Sequence, residues 1–127
     1  MESTGLRVQF LALTPGARRL ALSLASPADQ RHHEPLPENG FVEQHQHDDD
    51  FMYVMEGSAC FFFVDPESQE LRGHPLGEKQ MFHAVVIPKG VLHRWEHARA
   101  GAQIHDIKGS EKILQIFQPL VWQPLGI

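Results

Sequence analysis

Cysteine is almost absent from this chain: Cys60 is the single one, which excludes an internal disulfide framework and a cysteine-rich zinc site and suits a reducing cytoplasm. Basic residues are also scarce. Eleven Lys and Arg stand against sixteen Asp and Glu, for a formal charge of −5, which argues against a nucleic-acid backbone as partner. Apolar runs long enough to cross a bilayer are missing, and Met-Glu-Ser-Thr-Gly at the start lacks the basic-then-apolar pattern of a secretory leader. The expectation is a cytoplasmic protein without membrane or nucleic-acid partners. Internal repeats and low-complexity tracts are lacking too, and 127 residues at 42% hydrophobic content suit one domain with one core. What is abundant is histidine, with nine in so short a chain.

Short apolar segments separated by turn-rich stretches predict an all-β fold. Residues 5–13 and 19–25 alternate with period two and read as strands, with Thr14-Pro15-Gly16 as a turn between them. Residues 26–40, with three prolines, read as a surface loop, and residues 41–47 as an extended segment. Residues 51–64 read as two antiparallel strands around a tight turn at Glu56-Gly57-Ser58, and 65–80 as a polar loop holding His74. Residues 83–88, 91–97 and 112–117 supply further strands, the first two joined by the Pro88-Lys89-Gly90 turn. About eight strands and no helix predict an antiparallel sandwich or barrel with room for a ligand at its mouth.

The candidate chemistry lies in the histidines. His45 and His47 are two residues apart in an extended segment, so both imidazoles point to one side and can take neighbouring positions on a transition metal. Asp50 follows in a run of three aspartates whose bend can return a carboxylate toward the pair. His93, the first inward residue after the Pro88-Lys89-Gly90 turn, is the candidate for the second half of the site. A lone His-X-His on a surface is usually accidental, and an isolated acidic triplet is usually a solvated turn. Their combination with a remote histidine in a β-rich chain is more specific.

These segments resemble the two motifs of the cupin family. HQHDDDFMYVMEG (45–57) is similar to the first cupin segment, a His-X-His followed by an acidic ligand and a strand ending in Gly. PKGVLH (88–93) is similar to the second, Pro-X-Gly-X-X-His. The resemblance spans residues 41–119, with Phe117-Gln118-Pro119 resembling the exit from the last barrel strand. It implies a single cupin-like domain over 1–127, a double-stranded β-helix (jelly-roll) barrel, with His45, His47, Asp50 and His93 holding one divalent transition metal. Iron or manganese stand ahead of zinc or nickel. Asp takes the place of the family's Glu and lies closer to His47, with Asp49 and Glu43 as alternatives for the acidic ligand.

Strand parity adds a lining. His93 inward brings Trp95 and His97 inward, and Asp50 inward brings Met52 and Val54, with Tyr53 and Met55 on the other face. Gln115 and Phe117 come from the last strand. His83, His97 and His105 are candidates for supporting roles around the ligands. Phe61, Phe62 and Phe63 must face both sides of a sheet, and the outward ring calls for cover that a homodimer would provide. The resemblance implies a metal-dependent enzyme acting on a small-molecule ligand, and the apolar lining favours a dioxygenase for a small oxygenated or aromatic compound. The other readings are a non-catalytic sensor or storage protein and a non-redox isomerase or lyase.

Overall fold

The computed structural model describes residues 7–25 and 47–125. Among the described residues seven strands form two antiparallel sheets. β1 (Gln9–Leu11), β5 (Ala84–Ile87), β2 (Phe51–Glu56) and β7 (Gln103–Lys108) lie in that order in the first; β4 (Leu71–Gly77), β3 (Ser58–Val64) and β6 (His93–Glu96) make the second. Among the described residues these are two separate sheets and not one closed barrel. The expected all-β character therefore holds for the body of the fold. The predicted strand at residues 41–47 lies outside the described residues except for His47.

Two helices correct the expectation of none. α1 (Pro15–Leu24) occupies the predicted second strand, and α2 (Ser110–Leu125) takes in both the predicted last strand and Phe117-Gln118-Pro119. Thr14-Pro15-Gly16 is a helix start: the Thr14 hydroxyl accepts a hydrogen bond from the Ala17 N–H at 3.1 Å, and Pro15, which has no N–H to satisfy, fills the first turn. The leucines of this segment satisfy either period. The buried pair Ala17 and Ala21, with Leu20 and Leu24 beside them, shows that the helical one prevails. In α2 the buried face is Ile113 and Ile116 with Phe117 beside them, again three and four residues apart.

The two helices pack on the outer face of the first sheet. Leu11, Met52, Val54, Ala84, Val86 and Ile107 meet them there in one apolar cluster. A second cluster fills the space between the sheets, where Phe51, Tyr53, Met55, Val85, Ile87 and Ile104 face Phe61, Phe63, Leu76 and Trp95. β2 and β5 are covered on both faces, so they read as unbroken apolar runs without alternation. β3 is covered fully on one face and shows strict alternation. No helix among the described residues is long and apolar enough to cross a membrane.

Glu56-Gly57-Ser58 is a corner between sheets and not a hairpin, because β2 pairs with β5 and β7 whereas β3 pairs with β4 and β6. Gly57 makes the corner at φ +84°, and a Cβ there would press to 3.0 Å on the Ala102 backbone. Residues 71–77, read as part of the polar loop 65–80, form an edge strand, where Pro75 costs no ladder bond on the open side. His74 therefore sits on a strand, its ring 4.8 Å from that of Phe10. Phe62 points outward, is half-buried, lies over Gly73 and has the Arg94 guanidinium 5.5 Å from its ring centre.

Candidate functional site

Two segments far apart in sequence meet at one end of the space between the sheets. His47 lies just before β2, and its carbonyl accepts a hydrogen bond from the Gly90 N–H at 2.9 Å, which ties it to the Pro88-Lys89-Gly90 turn. The His47 ring stacks on Phe51 with centroids 3.9 Å apart and stands 4.9 Å from the ring of His93. His93 opens β6 and is buried, with Nδ1 2.8 Å from the Val91 carbonyl oxygen. A carbonyl only accepts, so Nδ1 carries the proton and Nε2 presents its lone pair to the interior.

Between the two imidazoles stands the Tyr53 hydroxyl. It is hydrogen-bonded to His47 Nε2 and lies 3.4 Å from His93 Nε2. With His93 Nε2 as an acceptor, the cluster closes as a chain in which His47 donates to Tyr53 and Tyr53 donates to His93. The surroundings are aromatic: Trp95 meets Tyr53 edge-on at 5.7 Å and Phe61 at 4.8 Å. The buried Trp95 Nε1 has no acceptor among the described residues. Asp106 is fully buried and stands directly opposite Tyr53 in the β2–β7 ladder.

The sequence-derived candidates divide into those gathered here and those placed elsewhere. His47, His93 and Trp95 come together; His45 lies outside the described residues, as does Glu43. Asp50 has a different task. Its Oδ1 accepts from the Lys89 N–H at 2.9 Å and its Oδ2 from the Ser110 hydroxyl at 2.8 Å, while its carbonyl accepts from the Gly109 N–H. The carboxylate thus pins the start of β2 to the Pro88-Lys89-Gly90 turn and to the start of α2. Among the described residues no three His, Cys, Asp or Glu side chains form a group that could hold a metal. Asp49 is exposed and pairs with Lys108 at 3.3 Å.

The predicted lining is largely inverted. Met52 and Val54 face the helices, and Tyr53 and Met55 face the space between the sheets. Parity counted from Asp50 gave the wrong face because Asp50 itself points out of that space, and the doubly covered β2 carries no alternation to correct it. Gln115 is exposed on α2 and Phe117 packs in the helix layer. His97 is exposed, in a left-handed conformation at φ 58°. His83 accepts from the Leu13 N–H at 2.9 Å, joining β1 to β5, and His105 pairs with Glu56 at 2.7 Å. Neither touches the His47–Tyr53–His93 cluster among the described contacts.

Tyr53 and Asp106 were missed. A single Tyr in an apolar strand gives no periodic signal, but a hydroxyl in a run otherwise free of polar atoms was the available clue. Beside the cluster opens a groove of about 940 Å³, lined by Arg7, Val8, Phe63, Asp65, Lys89 and Val91 among others. Phe63 and Val91 belong also to the inter-sheet core, and His47, Tyr53 and His93 are not among the residues that line the groove. Asp65 at its rim has its carboxyl held below the ordinary range, first by the Glu67 N–H that it accepts and then by Ser68 and Arg72. No family model, no curated protein and no solved structure matches this chain.

Proposed function

We propose that this protein is a small metal-dependent enzyme of cupin-like, jelly-roll build. In this reading His47 and His93, with His45 two residues before His47, hold one divalent transition metal. The observation that carries the reading is the approach of His47 and His93, from remote segments, to one hydroxyl inside an aromatic enclosure. The donor set suits such an ion. Imidazole nitrogens are borderline donors that suit iron, manganese or zinc. The Val91 carbonyl holds His93 in the tautomer a metal needs, the arrangement typical of ligating histidines.

Bound there, the ion would supply Lewis acidity and, as iron or manganese, redox chemistry. The chain's own part is to exclude water with Phe51, Phe61 and Trp95, and to admit a ligand through the groove beside Val91. A volume of about 940 Å³ lies at the upper end of ordinary small-molecule sites. Its lining mixes Phe63, Val8 and Val91 with Arg7, Asp65 and Lys89, which suits a small oxygenated compound, and a dioxygenase is the activity put forward.

Elemental analysis of the untagged protein tests the metal. About one ion per chain is expected, lost in His47→Ala and in His93→Ala while far-ultraviolet circular dichroism stays unchanged. Full occupancy in the double variant would overturn the site. Oxygen uptake with diketones and catechols tests the activity. Stoichiometric metal without uptake by any of them would turn the reading toward a binding protein or a non-redox isomerase or lyase.

A further inference from the structure

The indole N–H of Trp95 is a buried donor without an acceptor among the described residues, and its ring packs against the hydrogen-bonded cluster of the candidate site. We propose that Trp95 reads the ligand of the space between the sheets, its Nε1–H donating to the carbonyl oxygen of a small neutral compound. The inference rests on the location of the site proposed above and gives it a substrate class, and it needs no ion.

Three observations support it. Trp95 is 1% exposed, and burying its N–H without an acceptor costs free energy that an apolar side chain there would not. Its ring meets those of Tyr53 and Phe61 edge-on, and a ring face is a weak acceptor that leaves the donor available. Trp95 also follows His93 by two residues on one face of β6, which sets the donor beside the Tyr53–His93 contact. Charge then narrows the ligand. The buried polar and charged residues among the described ones are Asp50, His93 and Asp106, with no Lys or Arg. Asp106 lies on the same face of the β2–β7 ladder as Tyr53. A carboxylate or phosphate would enter without a counter-charge and near an acid, whereas a ketone, aldehyde or amide brings an acceptor and no charge. The rings of Tyr53 and Phe61 take its apolar body. β6 is the last strand of its sheet among the described residues, so a small molecule reaches its inner face from the side without parting paired strands.

The chain has two tryptophans, Trp95 and Trp122, so Trp122→Phe leaves one indole N–H to follow by nuclear magnetic resonance in the full chain. Acetylacetone, acetophenone and benzamide are the neutral probes, and benzoate is the anion of similar size. At least one neutral probe should move the indole proton downfield to saturation, and benzoate should not. Incorporating benzothienylalanine, which keeps the shape of the indole and puts sulfur in place of the N–H, should weaken that binding about tenfold in the backbone amide shifts. An indole resonance that no probe moves overturns the proposal: lying upfield, it shows a ring face as the partner of the N–H, and lying downfield, a trapped water. Equal binding of benzoate overturns the neutral class, and unchanged binding by the sulfur analogue overturns the role of the N–H. Metal content is read on the same samples. An ion without carbonyl binding removes this inference and leaves the metal reading, and carbonyl binding without an ion does the reverse.

Discussion

Replacing Asp50 with alanine separates its two conceivable roles, brace and ligand. The carboxylate accepts one bond from the Lys89 N–H and one from the Ser110 hydroxyl, and it is buried. Hydrogen bonds to a charged group contribute about 1.5–3 kcal/mol each, and losing the acceptor strands the partly buried Lys89 N–H. Asp50→Ala should therefore cost about 3–5 kcal/mol. With a urea dependence of about 2 kcal/mol per molar, the unfolding midpoint falls by about 2 M. Asp50→Asn keeps a carbonyl acceptor for Lys89 and an amide donor for Ser110, and should cost about 1–2 kcal/mol. Ser110→Ala should cost a similar amount alone and almost nothing once Asp50 is alanine, a coupling of about 1 kcal/mol or more in the double-mutant cycle. Asp50→Ala unfolding within about 0.5 kcal/mol of the parent, or additive costs in the cycle, would refute the brace. Asp50→Asn losing its metal at nearly unchanged stability would restore Asp50 as a ligand.

Three further outcomes follow from the packing and the local charges. Gly73→Ala should destabilise by about 1–3 kcal/mol in chemical denaturation, because its Cβ meets the Phe62 ring, and Phe62→Leu in the same chain should recover part of the loss. Ile116→Ala, a full truncation in the helix layer, should cost about 2–5 kcal/mol and lower the thermal midpoint; an unchanged midpoint would show that α2 does not dock as described. Burial, and after it the charge of Glu96, raises the Cys60 thiol, so its thiolate is scarce at pH 8 and alkylation should be slower than for an exposed thiol. Glu96→Gln should speed that alkylation, and a slower reaction would contradict the assigned cause.

Much of the β body was legible because its strands announce themselves. The aromatic and β-branched run ending at Val64, the aliphatic run at 84–87 and the Pro88-Lys89-Gly90 turn all lie where the pattern puts them. Both helices were hidden by apolar residues that satisfy two periods at once: Leu20, Leu22 and Leu24 alternate, yet Leu20 and Leu24 also share a helical face. β4 was hidden by a proline and a glycine that only an edge strand tolerates, and β7 by the buried Asp106 that interrupts its apolar pattern. Within the site, His47 and His93 were visible as types and positions. Tyr53 was not, since a strand covered on both faces does not say which side is which, and only the packing of the two sheets decides it.

The helix layer has a bearing on when the molecule can finish folding. One part of its apolar cluster, Leu11 to Ala21, leaves the ribosome well before Ile107, Ile113 and Ile116. Until those later residues emerge, the earlier leucines and alanines have no partner helix, and Met52 and Val54 remain bare on the back of β2. The nascent chain therefore passes through a stage with that reverse side greasy, the interval in which a chaperone has most to offer it.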